Sequence, residues 1–443
     1  MTAFNAIVMA AGRGTRMRSD LPKVLHPICG LPMIRWAVDA AREAGADRVV
    51  VVGAPGVSLD DALPDGVFQV VQDVAVHGDG TAGAAAAGLS ALEGSDLPVL
   101  VMNGDHPLVT AEILSGLTGA HASSGSPATV AAAVVDDPSG YGRVVRDADG
   151  LVDRIVETKV ESEATAGELA IREVNSGMYC FDATALAAAL PQVGSDNAQS
   201  ERYLPDVLTV MRSGGTPAAA HAVTDPALMI SVNDRIELAA ATAFCQRRIL
   251  ERHMASGVTI VSPMTTTIDA RVTIGRDALI EPDVHLRGST AVAPGARVGP
   301  SVTAVDAQIG ERATVGPYAY LRPGTVIGPG AKAGTFVELK NTYLGEGAKV
   351  PHLSYIGDAD VGAHTNLGAV TITANYDGRT KKKSRTRIGG DVKTGVLTAL
   401  VAPVELGDGT YTAAGTVVTE DVPAGALALS RGRQKTVENY GTR

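Results

Sequence analysis

Two hydrophobic periods divide the chain. In the first half, short apolar runs alternate with longer segments whose apolar residues recur at helical spacing. The runs at 5–10, 48–53 and 98–102 predict strands, and the segment 33–44 predicts a helix between the first two. Strands that alternate with helices indicate an α/β fold with a mostly parallel, Rossmann-like sheet, whose ligands bind at the carboxyl ends of the strands.

The second half has a period of six. The in-phase apolar residues are Ile274, Ile280, Leu286, Val292, Val298, Ile309, Val315, Leu321, Ile327, Ile388, Leu400, Leu406 and Val418. Neither the helical period nor the two-residue period of a strand explains this spacing. It predicts a parallel β-helix of hexapeptide repeats, in which each repeat forms one short face with its apolar residue inward. Breaks in the phase near residues 304, 344 and 361, and between 373 and 388, predict loops that leave the coil.

The change of period also predicts the domain boundaries. We expect an α/β domain over residues 1–225 and a β-helix over 258–443. The segment 226–257 is rich in helix formers and ends at Gly257, so it predicts a connecting helix.

Charge and cysteine content exclude several classes of protein. The 443 residues include 38 Lys and Arg against 48 Asp and Glu, a formal charge of −10, which argues against binding to nucleic acid or to acidic membranes. No apolar stretch reaches the length of a membrane span. The 3 cysteines lie far apart without C-x-x-C spacing, so neither a disulfide framework nor a zinc site is predicted. We expect a cytoplasmic protein.

Candidate chemistry begins directly after the first predicted strand, in the stretch VMAAGRGTRMRSDLPKVL. Its glycines, Gly12 and Gly14, allow backbone N–H groups to approach an anion, and Arg16 and Lys23 add positive charge. The stretch does not complete G-x-G-x-x-G, because Met17 occupies the last position, and it does not match the phosphate loop of the NTPases. The sequence therefore predicts a site for phosphate groups of another kind.

The pattern A-A-G-R-G-T-R-M-x(5)-K resembles the signature of the sugar nucleotidyltransferases, which join a nucleoside triphosphate to a sugar 1-phosphate and release pyrophosphate. The resemblance implies that Ala10, Ala11 and Gly12 wrap the triphosphate, while Arg16 and Lys23 counter its charge. The reaction itself requires such cations, because two anions must meet in line at the α-phosphorus.

Two further segments fit that resemblance. Asp105, in NGDHP, follows a predicted strand and matches the metal-binding aspartate of the family, and Asn233, in SVNDR, matches a second ligand. Mg²⁺ takes a few carboxylate or amide oxygens together with substrate phosphates. The resemblance therefore implies a Mg²⁺ site.

The whole chain resembles the bacterial family of bifunctional N-acetylglucosamine-1-phosphate uridyltransferases and glucosamine-1-phosphate acetyltransferases. The segments that carry the resemblance are GYGR, IVETK and VNSG in the first half, and YLRPG, FVELK, HLSYIGDADVG, NLGAVTITANYDG and ALSRG in the second. It implies a left-handed β-helix, a homotrimer, and acetyl-CoA, UTP, glucosamine 1-phosphate and N-acetylglucosamine 1-phosphate as substrates. Its product would supply peptidoglycan and lipopolysaccharide synthesis in a bacterium.

The resemblance assigns the remaining site residues. The uracil base and the acetamido sugar would contact Gln72, Gly80, Thr81, Asn103, Gly142, Glu157, Asn175 and Asn233. In the second half, His352 would act as the general base, because an imidazole can take the proton of the amine at neutral pH. Glucosamine 1-phosphate would contact Arg322, Lys340, Tyr355, Asn366, Asn375 and Tyr376. The basic run 381–383 and Arg431 would serve phosphate groups of this substrate and of acetyl-CoA, and a solvated loop explains the run 381–383 equally well. Acetyl-CoA would contact Val396, Ala414 and Arg431.

Five residues depart from the family pattern. Asn103 stands where tyrosine is usual and Gly83 where glutamine is usual, within an unusual segment at 72–83. Pro351 and Val370 replace glycines near the histidine, and Val396 replaces a serine that contacts acetyl-CoA. Proline removes an N–H group and valine removes a hydroxyl, so these changes bear on the acetyltransferase half.

Three functions are consistent with these features. The leading hypothesis is a bifunctional enzyme that acetylates glucosamine 1-phosphate and then transfers uridylyl from UTP to the product. A nucleotidyltransferase whose β-helix serves only assembly is the alternative, motivated by the departures in the second half. A sensor of sugar nucleotides is a third, but it has no need of Lys23, Asp105 and Asn233 together.

Overall fold

The computed structural model describes residues 3–12, 14–157, 164–195, 201–225, 230–430, 432–438 and 440. It separates into two compact units, Met1–Cys245 and Gln246–Arg443. In the part of the chain that the model describes, no helix has both the length and the apolar character needed to cross a bilayer.

The first unit is an α/β domain built on one mixed sheet. Its strands are β1 (Phe4–Ala10), β2 (Pro27–Ile28), β3 (Leu31–Pro32), β4 (Ala46–Gly53), β5 (Phe68–Val71), β6 (Val99–Asn103), β7 (Ala128–Val134), β8 (Arg143–Arg146), β9 (Val152–Val156), β10 (Glu173–Phe181) and β11 (Ala219–Ala222). Its helices are α1 (Met33–Glu43), α2 (Val74–His77), α3 (Gly80–Ser90), α4 (Ala111–Ser124), α5 (Ala166–Leu169), α6 (Ala183–Ala189), α7 (Asp206–Ser213) and α8 (Arg235–Ala255). Helix α8, which the sequence predicts as a connecting helix, contains the boundary between the two units.

The sheet has the strand order β11-β7-β10-β6-β1-β4-β5, and β8 and β9 form a hairpin beside β10. Strands β2 and β3 pair only with each other, outside this sheet. Strand β1 is parallel to both β4 and β6, so the loops after β1 and β6 leave the same edge side by side. Alternate residues of β1 enter two buried layers: Ala6 and Val8 pack towards α1 and α4, and Ile7 and Met9 towards α3 and α7. Helices therefore cover both faces of the sheet, as the alternating sequence pattern predicts.

The second unit is a parallel β-helix with three flat faces. The first face contains Thr259–Ile260, Leu279–Ile280, Arg297–Val298, Thr314–Val315, Lys332–Thr335 and Lys349–His352, and single bridges continue it through Asn366, Lys393 and Tyr411. The second face contains Thr267–Ile268, His285–Arg287, Thr303–Val305, Tyr320–Leu321, Glu338–Lys340, Tyr355–Gly357, Ile372–Ala374, Ala399–Val401 and Val417–Val418. The third face contains Thr273–Ile274, Ala291–Val292, Gln308–Ile309, Val326–Ile327, Tyr343–Leu344, Ala359–Val361, Thr386–Ile388 and Val404–Leu406. A short end pair joins Tyr411–Thr412 to Leu427–Ala428.

The hexad residues of the sequence pattern form the core of the β-helix. All of them are buried except Ile274, which is half-buried. Successive coils pair in parallel, for example Thr267 with His285, so three hexads close one turn. The period of six is therefore the length of one face.

The predicted loops near 304, 344 and 361 are wrong. At those places the chain stays in the coil, and the coil is one residue shorter: Thr303 pairs with Tyr320 and Tyr343 with Asp360, an offset of 17 residues where Thr267 and His285 give 18. Only the break between 373 and 388 is a loop. It carries a hairpin of Tyr376–Asp377 and Lys382–Lys383.

Candidate active sites

The two glycines after β1 have different surroundings. Gly12 is exposed, and a Cβ added there would meet nothing within 4 Å. Gly14 has φ of +58°, and a Cβ there would lie 2.6 Å from Cβ of Lys23. Met17 ends the following turn and is buried, and its carbonyl accepts a hydrogen bond of 3.1 Å from Nε of Arg235 at the start of α8. Gly14 therefore packs closely against Lys23, and the turn that follows it is tied to the start of α8.

Lys23 is the centre of a charged cluster at this edge of the sheet. Its ammonium group forms an ion pair with Oδ2 of Asp105, which follows β6, and lies 3.4 Å from Oδ1 of Asn233. The guanidinium of Arg16 donates to the same Asn233 oxygen at 2.9 Å. Four residues that the sequence predicts from three separate segments thus converge in the first unit.

Asn233 is oriented by its own neighbours. Its backbone N–H donates to Oε2 of Glu237 at 2.5 Å, and its side-chain amide donates to the Ser231 hydroxyl at 3.0 Å. The N–H of Val232 donates to the carbonyl of Asp105 at 2.9 Å. Because the Nδ2 group is used in this way, the Oδ1 atom points towards the cations.

The donor set at this cluster suits Mg²⁺. Oδ1 of Asp105 is buried and has no hydrogen-bond partner among the described residues. Together with Oδ1 of Asn233 it offers one carboxylate and one amide oxygen, which is the sparse set that Mg²⁺ accepts when substrate phosphates and water complete its shell. The described residues contain no group of three or more His, Cys, Asp or Glu side chains that could bind a metal by themselves.

His106 is a buried neighbour that the sequence analysis did not single out. Its Nε2 atom lies 3.7 Å from Oδ1 of Asp105, and burial lowers its pKa more than the Asp105 carboxylate raises it. The imidazole therefore stays neutral at pH 7. The signal was present in NGDHP, but nothing in a single sequence distinguishes a buried histidine from an exposed one in that turn.

The predicted sugar contacts form a second cluster in the first unit. A Cβ added to Gly142 would lie 3.3 Å from Oε1 of Glu157 and 3.7 Å from Cβ of Asn175, so these three residues are neighbours. The Asn175 amide donates to the Tyr179 hydroxyl at 2.7 Å, and its oxygen accepts from the Gly177 N–H at 3.0 Å. A hydrogen-bonded frame therefore fixes the amide beside the glycine.

Asn103 lies at the end of β6, against the same frame. A Cβ added to Gly177, which has φ of +74°, would lie 2.8 Å from Nδ2 of Asn103 and 3.6 Å from Cε1 of His106. Asn103 therefore lies between the sugar cluster and the Asp105 cluster. Its amide takes the place of the aromatic ring that the family pattern leads one to expect.

The unusual segment at 72–83 folds back on itself. The buried Gln72 amide donates to the carbonyls of Gly78 and Gly80 at 2.9 and 3.0 Å. A Cβ on Gly83 would lie 2.1 Å from the Gly78 oxygen and 2.7 Å from Nε2 of Gln72. Glycine at position 83 is therefore required by this fold, because the turn around helix α2 occupies the space that a glutamine side chain needs.

Gly80 and Thr81 are tied to the segment before α7. The Thr81 hydroxyl accepts from the Leu204 N–H at 2.9 Å, and a Cβ on Gly80 would lie 2.6 Å from the Arg202 carbonyl oxygen. Thr81 thus uses its oxygen within the protein. Of the three predicted base contacts, Gln72 keeps its Oε1 atom outside these hydrogen bonds.

In the second unit, the second face of the β-helix carries a polar cluster. Arg322 donates to Oε1 of Glu338 at 2.9 Å. A Cβ on Gly357 would lie 2.4 Å from the Tyr355 hydroxyl and 2.9 Å from Nδ2 of Asn375, so these two groups meet above the glycine. Glu338 and Gly357 were not predicted as site residues, although both lie in segments that carry the family resemblance.

Asp358 orders this cluster. It accepts a hydrogen bond of 2.6 Å from Asn341 and a short one from Asn375. Burial alone would raise the pKa of Asp358, but the two amides and the charge of Lys340 outweigh it, so the pKa lies below its usual value. The carboxylate stays ionised at neutral pH and holds Asn375 in place.

The insertion hairpin brings one of its lysines to this cluster. The neighbouring ammonium of Lys340 lowers the pKa of Lys383, and the Asp358 carboxylate acts in the opposite direction. Two cations side by side favour an anion between them. Of the run at 381–383, Lys383 is therefore the member that lies at the predicted sugar-phosphate contact, while Tyr376 stands exposed on the paired strand of the hairpin.

His352 is exposed at the end of the first face, next to the corner that leads to the second. Its carbonyl accepts from the Val370 N–H at 3.3 Å. Val370 has φ of +61°, a conformation that strains a β-branched residue and that the usual glycine would adopt freely. The backbone N–H of Val370 therefore contacts His352, the predicted general base, directly.

The other predicted contacts lie on the first face or at the same corner. Asn366 pairs with Lys349 and Lys393 on the first face, and is exposed. Val396 and Ala414 are exposed at the corner in the two following coils. Asn366 and Lys340 thus lie on different faces of one chain. Arg431 lies outside the described residues.

Similarity to known proteins covers both units. Residues 6–204 match the family model of the MobA-like NTP transferase domain. Proteins named bifunctional protein GlmU match nearly the whole chain. The one from Corynebacterium efficiens is 46% identical over 98% of this chain and 93% of its own length. Those from Mycolicibacterium vanbaalenii and Caldanaerobacter subterraneus subsp. tengcongensis are 45% and 42% identical over 99% of this chain, covering 92% and 98% of their own lengths.

The chain belongs to the GlmU family. The resemblance drawn from the motifs is confirmed, and so are the α/β nucleotidyltransferase domain and the parallel β-helix. As a GlmU enzyme the chain is bifunctional. It transfers acetyl to glucosamine 1-phosphate and uridylyl to N-acetylglucosamine 1-phosphate, with acetyl-CoA and UTP as the group donors.

Gly14→Ala is expected to lower uridylyl transfer about 100-fold, because the new methyl group displaces Lys23 and a misplacement of about 1 Å costs that much. Acetyl transfer should not change, since the substitution lies in the first unit. Pyrophosphate release measures uridylyl transfer, and thiol release from acetyl-CoA measures acetyl transfer, both in one preparation of the protein. Gly119→Ala is the matched control, because a Cβ there meets nothing within 4 Å. Equal uridylyl transfer by the two variants would contradict the assigned role of the loop.

Proposed function

We propose that the cluster around Lys23 is the uridylyltransfer site of this GlmU enzyme and that His352, together with the polar cluster around Lys340 and Asp358, forms its acetyltransfer site. The convergence of Arg16, Lys23, Asp105 and Asn233 carries the proposal. Two cations and two oxygen ligands at the carboxyl edge of a parallel sheet suit a bound triphosphate and its metal.

Acetyl transfer comes first. The amine of glucosamine 1-phosphate attacks the thioester carbonyl of acetyl-CoA, so that a C–N bond forms and the C–S bond breaks. His352 accepts the proton that the amine loses and returns a proton to the departing sulfur as the thiol leaves. Arg322, Lys340 and Lys383 hold the sugar phosphate, and Tyr355 and Asn375 bind the sugar hydroxyls.

Uridylyl transfer follows. A phosphate oxygen of N-acetylglucosamine 1-phosphate attacks the α-phosphorus of UTP, and the bond to pyrophosphate breaks. Arg16 and Lys23 counter the charge of the phosphates while Gly12 lets the backbone approach them. Asp105 and Asn233 would hold Mg²⁺, which supplies further positive charge to the triphosphate when bound.

The remaining first-unit contacts bind the two substrates at their neutral ends. Gly142, Glu157 and Asn175 receive the acetamido sugar, with Asn103 beside them, and the segment that holds Gln72, Gly80 and Thr81 receives the base. We propose residues 1–225, 226–257 and 258–443 as the nucleotidyltransferase domain, the connecting helix and the acetyltransferase domain. A cytoplasmic location suits an enzyme that uses acetyl-CoA and UTP.

The alternative of a β-helix that serves only assembly rests on Pro351, Val370 and Val396. The full-length match to proteins named bifunctional argues against it. The hydrogen bond between Arg322 and Glu338, and the meeting of the Tyr355 and Asn375 side chains above Gly357, also argue against it, because assembly alone needs no such polar cluster.

The two sites should fail separately. His352→Ala is expected to lower acetyl transfer about 10²–10⁴-fold, the usual contribution of a general base, and to leave uridylyl transfer unchanged. Asp105→Asn should do the reverse and raise the Mg²⁺ concentration needed for half-maximal uridylyl transfer. Thiol release is measured with glucosamine 1-phosphate and pyrophosphate release with N-acetylglucosamine 1-phosphate. Loss of both activities in either variant would contradict separate sites.

Lys383→Met is expected to raise the KM for glucosamine 1-phosphate about tenfold, the loss expected for one charge-assisted hydrogen bond, with little change in the KM for acetyl-CoA. Lys382→Met is the matched control, because this lysine has the same charge on the same hairpin strand. A similar KM in both variants would show that the hairpin acts through its overall charge alone.

A homotrimer is proposed for the assembled enzyme. Asn366 and Lys340 lie on different faces of the β-helix. A second copy that packs side by side with the first, with its axis parallel, would bring one face opposite the other. Closed cyclic symmetry repeats that contact three times. Light scattering of the purified chain should give three times the mass of one chain, and a monomer at micromolar concentration would contradict the proposal.

A further inference from the structure

A column of lysines on the first face of the β-helix has no part in the sites described above. Lys332 pairs directly with Lys349, and single bridges continue the column through Asn366, Lys393 and Tyr411. All of these side chains are exposed. We call Lys332, Lys349 and Lys393 the lysine column.

The lysine column is not neutralised within the chain. Arg297, two coils before Lys332 on the same face, forms an ion pair with Glu281. Among the described residues, none of the three lysines forms a salt bridge. Neighbouring strands lie about 4.8 Å apart, and like charges on adjacent strands repel. The column therefore presents a line of unpaired cations along the axis of the β-helix.

The column lies beside the predicted acetyl-transfer corner. Lys349 begins the strand that ends at His352. Lys393 stands three residues before Val396 in the same coil, which is about 10 Å along an extended chain. Any ligand that runs along this corner from His352 towards Val396 and Ala414 therefore passes the column on one side.

In the coils of Asn366 and Lys393, glycine backbone lies between the column and the corner. A Cβ on Gly368 would lie 2.5 Å from the Thr394 carbonyl oxygen, and one on Gly395 would lie 2.6 Å from the Ala414 nitrogen. Neither position can carry a side chain, so nothing rises between the lysines and the corner there. A long, thin ligand can lie on this backbone with its anionic groups towards the lysines.

We infer that Lys349 and Lys393 bind the phosphate groups of the acetyl donor, a nucleotide-bearing thioester. The inference rests on the proposed acetyl-transfer site. The sugar phosphate has its own cations, Arg322 and Lys340 on the second face and Lys383 on the insertion hairpin, which leaves the column for the phosphates of the other substrate. Lys393 is further positioned by its ammonium group, 5.6 Å from the centre of the Tyr411 ring. Phosphate contacts from these lysines would also compensate for the contact to the acetyl donor that is lost because Val396 has no hydroxyl.

The test compares the affinity of coenzyme A with that of its fragments, measured by calorimetry on the full-length protein. Lys393→Gln and Lys349→Gln are each expected to weaken coenzyme A binding about tenfold, the loss expected for one charge-assisted hydrogen bond to phosphate. Pantetheine has no nucleotide, so its weaker binding should be the same in wild type and variants. Arg271→Gln is the matched control, because it removes one exposed cation from a remote corner.

Coenzyme A binding needs no turnover, so the inference is tested even when acetyl transfer is absent; absence of transfer would count against the proposed function instead. An unchanged affinity for coenzyme A in both variants would overturn the inference. So would an equal loss of affinity for pantetheine. A variant that falls from trimer to monomer while keeping its coenzyme A affinity would show that the lysines pair with a second copy, and would also overturn it. Uridylyl transfer in the same samples reports that the variants are folded.

Discussion

Parallel pairing of strands is the constraint on which both sites depend. In the first unit, Met9 of β1 pairs with Asn103 of β6, so the glycine loop and Asp105 emerge side by side from strands far apart in sequence. In the second unit, the same kind of pairing stacks residues 17 or 18 positions apart into straight columns. The pairing therefore determines where each residue lies along the edge of the sheet or along a face of the β-helix.

Local positive charge in an acidic chain is the second common feature. The chain carries a formal charge of −10, yet Lys23 and Arg16 meet at one oxygen of Asn233, and Lys340 lies beside Lys383. Neighbouring cations are costly unless an anion separates them. The two clusters that we propose as active sites therefore bring cations together in a way that favours the binding of phosphate groups.

The sequence predicted the fold because both periods report burial directly. Residues of β1 alternate between two buried layers, and the hexad residues point into the coil. The phase breaks near 304, 344 and 361 were misread as loops, because a coil of 17 residues and an insertion both interrupt a period of six. Pairing partners distinguish them, and no single sequence contains that information. His106 and Glu338 were not predicted because their roles depend on burial and on contacts, which a single sequence does not show.

The local fold accommodates two of the departures from the family pattern, at positions 83 and 370. At position 83, glycine follows from the turn at Gly78, whose carbonyl oxygen occupies the place of a side chain. At position 370, valine adopts a left-handed conformation that costs about 1–2 kcal/mol relative to its preferred ones. Its N–H nevertheless reaches the carbonyl of His352, as a glycine there would allow. The corner therefore holds a β-branched residue in a conformation that suits glycine, and the pairing of the coils on either side, more than the residue at the corner, determines where the histidine lies.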